Sequence, residues 1–237
     1  MIPLHDDNPT QSFPYLTITL IGLCVLVYLW QMTLGPRGGE AIIYSLGVIP
    51  AVLLHKVQLP PELAVVPPQA TIYTSMFLHG GFMHLAGNML YLWIFGNNIE
   101  EAMGKFRFFL FYFICGTAAV FGQVLQDPSS QIPMVGASGA ISGVLGAYLL
   151  LYPHARVLVL IPIWFYVDLI RLPAAWVLGF WFVLQLISSA LSQGAGGGVA
   201  FYAHISGFIT GMMLVPVLKR RGVRMFQRSH SYRGKGW

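Results

Sequence analysis

Apolar positions in this chain run together instead of alternating. Windows of about 18 to 22 apolar residues fall near residues 15–32, 77–96, 106–126, 136–152, 174–191 and 199–218. Runs of that length cross the roughly 30 Å hydrocarbon core of a bilayer, so the pattern predicts six membrane-spanning helices. A further run, 157–167, is interrupted by Pro162 and followed by Asp168, Arg171 and Pro173. At about 11 residues it is too short to span, and it is expected to form an interfacial segment or an extension leading into the fifth helix. Two connections stand out. Residues 33–76 make a long external loop rich in Pro and Gly (Pro36, Gly38, Gly39, Pro60, Pro61, Pro67, Pro68), whose apolar stretches place it partly in the membrane interface. Residues 192–198 form a glycine-rich external cap with little backbone stiffness.

Composition narrows the class. Of 237 residues 56% are hydrophobic and only 9% charged, and the mean hydropathy is +0.68, whereas about a quarter of an average globular chain is charged. An ordinary soluble domain, a disordered chain and a collagen-like repeat are excluded. The two cysteines, Cys24 and Cys115, both lie in apolar runs, which excludes a disulfide scaffold and argues against redox chemistry. The expected fold is all-α, a polytopic six-helix membrane bundle. Residues 1–14 form a cytoplasmic N-terminal segment, 15–218 the membrane domain and 219–237 a basic cytoplasmic tail.

Charge sets the orientation. Eleven of the thirteen basic residues fall on one side of the predicted spans, and only Arg37 and Lys56 on the other. The positive-inside rule puts both termini in the cytoplasm. The net charge of +5 then reads as a tail held near anionic headgroups of the lipid bilayer, with nucleic acid the weaker reading. Residues 1–14 contain no Lys or Arg and no small-residue cleavage site follows the first span, so no cleaved signal peptide is expected. No Arg-rich transit peptide is present either, which points to a prokaryotic plasma membrane.

Polar side chains at membrane depth are expensive and mark function. Spans two, four and six run from outside to inside, and their outer halves carry His79, His84 and Asn88, then Ser138, then His204. His84 and Asn88 are four apart and share a helical face; they read either as oxyanion hydrogen-bond donors or as interhelical hydrogen-bonding residues. Ser138 stands at a helix start, where free N–H groups favour an anion. Gly139 and Gly143 have small-xxx-small spacing, as do Gly207 and Gly211, and would bring spans four and six into close contact. His204, one turn from Gly207, would then face Ser138 as a general base for nucleophilic attack. Asp127 and Asp168 are poorly placed as third members, so a Ser–His dyad without a carboxylate is expected, its imidazole oriented by packing or a neutral hydrogen bond.

The pattern His79-x4-His84-x3-Asn88, Gly136-Ala137-Ser138-Gly139 and Ala203-His204-x2-Gly207-x3-Gly211 resembles the rhomboid family of intramembrane serine proteases over residues 74–214. Glu100, Glu101, Gly104 and Arg107 also look like that family. The resemblance implies a six-helix core that cleaves transmembrane protein substrates near the external boundary. It implies Ser138 as nucleophile, His204 as general base and acid, and His84, Asn88 and the Ser138 N–H as oxyanion stabilisers. No cofactor and no metal is implied, and the oligomeric state is left open. Two departures stand out. A bacterial branch has an aromatic residue one turn after the nucleophile where this chain has Ser142, and a Trp-Arg pair in the first external loop, where residues 33–76 contain no Trp.

Three rivals remain. An inactive client-binding relative would usually lack the serine or histidine. A channel would carry polar residues through the cytoplasmic halves, where spans four and six instead continue with Val144, Leu145 and Met212, Met213. A metal site at His79, His84 and His204 lacks a carboxylate or thiolate at its depth.

Overall fold

The computed structural model describes residues 1–163, 166–191 and 200–227. In chain order its elements are β1 (Ile2–Asp6), α1 (Tyr15–Thr33), α2 (Gly35–Leu46), α3 (Pro50–Leu53), α4 (Thr71–Thr74), α5 (Phe82–Met103), α6 (Lys105–Gln126), α7 (Ser138–Leu151), β2 (Arg156–Ile163), β3 (Tyr166–Pro173), α8 (Ala174–Leu191) and α9 (Phe201–Leu218). Each of the six long apolar runs forms a helix, but residues 78–81, which include His79, lie ahead of α5 and outside the helix expected to carry that histidine. Four of them, α1, α6, α8 and α9, are long and apolar enough to cross a membrane. The other two differ for identifiable reasons: α7 has only 14 residues, about 21 Å of helix, and α5 runs on through Asn97, Asn98, Glu100 and Glu101, which dilute its apolar character.

Packing centres on α7. Eleven of its fourteen residues are buried, including Tyr148 and Leu151, and it is enclosed by α5, α6, α8 and α9. Glycine makes that enclosure close. A Cβ on Gly207 would run into the Gly139 carbonyl, and one on Gly211 into that of Gly143, while a Cβ on Gly143 would meet Cys115 of α6 at 2.5 Å. Backbones that approach this closely leave no room for a side chain and maximise van der Waals contact, the main attraction between helices once lipid surrounds them.

The all-α expectation needs amending. The fold is mostly helical, but β1, β2 and β3 form an antiparallel sheet in that order. Residues 157–163, expected to be interfacial or an extension of the fifth helix, are strand instead. Val157 and Val159 are fully buried while Leu158 and Leu160 are half-buried, a period of two that a count of apolar residues does not distinguish from a helix. Residues 2–6 add the third strand, so the N-terminal segment is part of the folded unit. The sheet caps the end of α7 opposite Ser138, and the Tyr148 hydroxyl donates to the buried Asp6 carboxylate at 2.5 Å. Burial pushes the Asp6 carboxyl up to about 6, although the Tyr148 hydrogen bond and His5 oppose the shift.

The acidic pair at the end of α5 has a structural task. Glu100 accepts hydrogen bonds from the Leu16 and Thr17 N–H groups and the Thr17 hydroxyl, and Glu101 from the Gln11 and Ser12 N–H groups. Glu100 thereby satisfies the open first turn of α1 with negative charge where the helix dipole favours it, and Glu101 holds the segment that leads into that helix. Arg107 donates to the last carbonyls of α9, Leu218 and Lys219. Gly104, at φ +81°, turns the chain between α5 and α6.

Candidate active site

The site is assembled at one end of α7. Ser138 is its first residue, and the first N–H to find an intrahelical acceptor is that of Ile141, on Ala137. The N–H groups ahead of it point out of the helix beside the serine. Close packing of α9 on the glycines of α7 brings His204 to Ser138, whose Oγ lies 2.8 Å from Nε2. Both residues are half-buried, within reach of solvent without being exposed to it.

The other face of the imidazole is held by α8. The His204 Nδ1 lies 2.8 Å from the Gln185 side-chain oxygen, and the Trp181 ring sits 5.9 Å from the His204 ring at a 37° tilt. Trp181 and Gln185 are four apart and so lie on one face of α8. Neither was singled out from the sequence, yet a signal existed. Gln185 is flanked by Val183, Leu184, Leu186 and Ile187, all exposed and apolar, and a lone amide in such a run requires a hydrogen-bond partner. Ser142, one turn after the nucleophile, turns its hydroxyl back to the Ser138 carbonyl at 2.6 Å.

His84 and Asn88 approach from α5 on the opposite side. A Cβ on Gly136, two residues before Ser138, would fall 2.7 Å from His84 Nε2 and 3.5 Å from Asn88 Nδ2. Gly136 adopts φ +121°, so both backbone conformation and space demand glycine there. Asn88 is buried and its amide nitrogen lies 3.0 Å from His79 Nε2. His79 in turn is almost fully buried, with Nδ1 3.3 Å from the Phe77 carbonyl. An Nδ1–H that donates to Phe77 leaves Nε2 to accept from Asn88, so His79 orients the amide. Gln31 of α1, also missed in the sequence, clamps the backbone of His79 by accepting from its N–H at 3.1 Å and donating to its carbonyl at 3.3 Å.

The long connection between α1 and α5 is anchored to the segment that leads into the serine. Val48 and Met134 exchange backbone hydrogen bonds of 3.0 and 2.7 Å, the Ala51 N–H donates to Ser130, and the Gly136 N–H donates to Ser75 at 2.9 Å. Backbone pairing does this work without a Trp-Arg pair. The structure thus brings Ser138, His204, His84 and Asn88 to one end of the bundle, with Gly139 and Gly143 of α7 packed against Gly207 and Gly211 of α9 beneath them. The cap at 192–198 lies outside the described residues. Among the described residues no three His, Cys, Asp or Glu side chains are grouped to hold a metal ion.

Comparison with known proteins places this geometry. Residues 68–221 match the family model described as "Rhomboid domain". The chain is 35% identical over 100 residues to Rhomboid protein 1, mitochondrial, of Saccharomyces cerevisiae, covering 40% of this chain and 29% of that protein. It is 31% identical over 149 residues to Rhomboid protease AarA of Providencia stuartii, covering 56% and 49%, and 42% identical over 78 residues to Rhomboid protease GluP of Bacillus subtilis, covering 33% and 15%. It therefore spans less than half the length of each of these curated relatives. The family model covers well over half of the chain, which thereby belongs to the rhomboid family of membrane proteins.

Proposed function

We propose that this chain is an intramembrane serine endopeptidase that hydrolyses peptide bonds in or near transmembrane segments of other membrane proteins through a Ser138–His204 dyad. The single observation that carries the reading is the 2.8 Å contact between Ser138 Oγ and His204 Nε2 at the open N-terminus of α7. Two relatives named as proteases support it. We further assign six spans, with α5 and α7 crossing beside the four longer apolar helices, residues 15–218 as the membrane domain between the segments 1–14 and 219–237, and both termini on the basic, cytoplasmic side of a prokaryotic plasma membrane.

The chemistry follows from the geometry. His204 Nε2 takes the hydroxyl proton as Ser138 Oγ bonds to the scissile carbonyl carbon. The tetrahedral oxyanion is met by the Ser138 N–H, the Asn88 amide and His84, donors already held in place before charge develops. Nε2 then returns the proton to the leaving amine, and water repeats the sequence on the acyl-enzyme. The substrate helix must unwind locally for its carbonyl to reach the serine. No cofactor is required by these steps.

The test is cleavage of a model transmembrane substrate by purified protein in liposomes, comparing wild type with Ser138→Ala and His204→Ala, all three checked for folding. Cleavage abolished by both substitutions is expected. Cleavage that persists in Ser138→Ala would overturn the assigned nucleophile, and a folded wild type that cuts no member of a broad substrate panel would favour an inactive client-binding protein.

A further inference from the structure

We infer that Gln185 of α8 is a positioning residue that locks His204 in the one tautomer able to act as base, doing with a neutral amide what a carboxylate does in a three-residue triad. This rests on the dyad reading above and extends it to a residue on a different helix.

A neutral imidazole carries one ring proton, and which nitrogen bears it decides the chemistry. To accept the Ser138 proton, Nε2 must hold a free lone pair, so the proton must sit on Nδ1. The atom facing Nδ1, at 2.8 Å, is the Gln185 oxygen, an acceptor that rewards the Nδ1–H form. With the Gln185 oxygen turned to Nδ1 as it is, the alternative tautomer would set the Nδ1 lone pair against the oxygen lone pairs and an Nε2–H against Ser138, leaving no base. As Nε2 takes the serine proton, the imidazolium keeps its Nδ1–H on Gln185. That hydrogen bond becomes charge-assisted and strengthens where it is needed. Trp181, one turn earlier, lies beside the imidazole with ring centroids 5.9 Å apart, so α8 brings two side chains to His204.

Among the described residues no carboxylate bonds His204; Asp127, just past the end of α6, accepts instead from the Ser129 N–H. The elements packed against α9 are α6, α7 and α8. Helix α8 contains no ionisable residue, and Lys105 and Arg107 stand at the far end of α6, more than three turns from the Ala119 level at which it meets Gly139. Tyr112 and Cys115 of α6 pack deeper, as does Tyr148 near the distal end of α7. From α5 the facing titratable group is His84, and α9 itself brings Tyr202 two residues before the histidine. Gln185 is the group placed to orient Nδ1.

The experiment compares wild type, Gln185→Met and Gln185→Glu in detergent, each checked by thermal unfolding, with two readouts. The first is 15N NMR of histidine-labelled protein, which reports the His204 tautomer and needs no substrate. The second is kcat and KM for a transmembrane substrate across pH. Wild type is expected as the Nδ1–H tautomer, and Gln185→Met as a mixture with kcat lower by about 10- to 100-fold at little-changed KM. Gln185→Glu should keep cleaving while the acidic limb of its pH profile moves up by about one pH unit or more, because a carboxylate stabilises the imidazolium. An Nε2–H tautomer in wild type, or an unchanged tautomer, kcat and pH profile in both variants, would overturn the proposal. A wild type with the expected tautomer but no cleavage by Ser138 would instead overturn the dyad reading.

Discussion

Gly139 ties the packing of the bundle to the geometry of the dyad, and replacing it with alanine makes that tie measurable. A Cβ built there would sit 2.5 Å from the Ala119 Cβ of α6, with its next neighbours at 3.9 and 4.0 Å. Ordinary carbon–carbon contacts lie at about 3.5–4.0 Å, so α6 and α7 must separate locally by about 1 Å or more. Overpacking of this size destabilises by about 1–3 kcal/mol. Ser138 is the adjacent residue, and a displacement of about 1 Å lengthens its 2.8 Å contact with His204 beyond a useful hydrogen bond. Misplacement on that scale lowers turnover by about 100-fold. The clash involves one methyl group, so Ala119→Gly in the same chain should relieve it, with a residual loss of about 1 kcal/mol for glycine in the α6 interior. Thermal unfolding in detergent and cleavage kinetics on the wild type, both single variants and the double variant provide the cycle. Gly139→Ala that unfolds and cleaves like wild type, or a double variant no better than Gly139→Ala, would refute the reasoning.

Asp6 makes stability fall as pH rises through the range from its ordinary value of 3.8 to about 6. The folded chain holds a proton there that the unfolded chain has released. The loss is on the order of 3 kcal/mol across that window, and Asp6→Asn should flatten it in pH-dependent thermal unfolding; a slope unchanged in Asp6→Asn would contradict the assignment. At the two ends of the α1–α5 pair, Gln31→Leu strips His79 of both backbone hydrogen bonds and should cost about 1–3 kcal/mol and also lower kcat, because His79 holds Asn88. Glu100→Gln at the opposite end should lower the unfolding midpoint by a comparable amount while leaving kcat unchanged, and a fall in kcat there would count against that separation.

The sequence announces its long helices plainly, because a run of about twenty apolar residues has few alternatives. It hides the small sheet for the same reason: Val157 and Val159 alternate with Leu158 and Leu160, and when every residue in a run is apolar a period of two leaves no visible trace. The site is legible where chemistry and spacing coincide. Ser138 beside glycines and His204 one turn from Gly207 stand out because polar groups are rare at that depth. Its supporting residues are less legible. Gln31, His79 and Gln185 act through pairings across 48, 9 and 19 residues, each to a different element, and nothing local to Gln185 says that its partner will be an imidazole on α9.

That distribution has a physical reason. The dyad draws on α7, α8 and α9, and its oxyanion partners on α5, which is itself pinned by α1. In a water-poor interior an unpaired amide is costly, so each supporting polar group must sit where two helices meet and its partner is guaranteed. Gln31 with His79, His79 with Asn88 and Gln185 with His204 each satisfy one such demand across a helix or loop boundary. The same pairings that prevent buried unsatisfied groups also fix the angles of the site. A substitution that spares stability but loosens one pairing therefore acts on turnover first, and the helix on which it falls identifies which part of the site it reaches: α8 the base, α1 the oxyanion donors, and the glycines of α7 the distance between nucleophile and base.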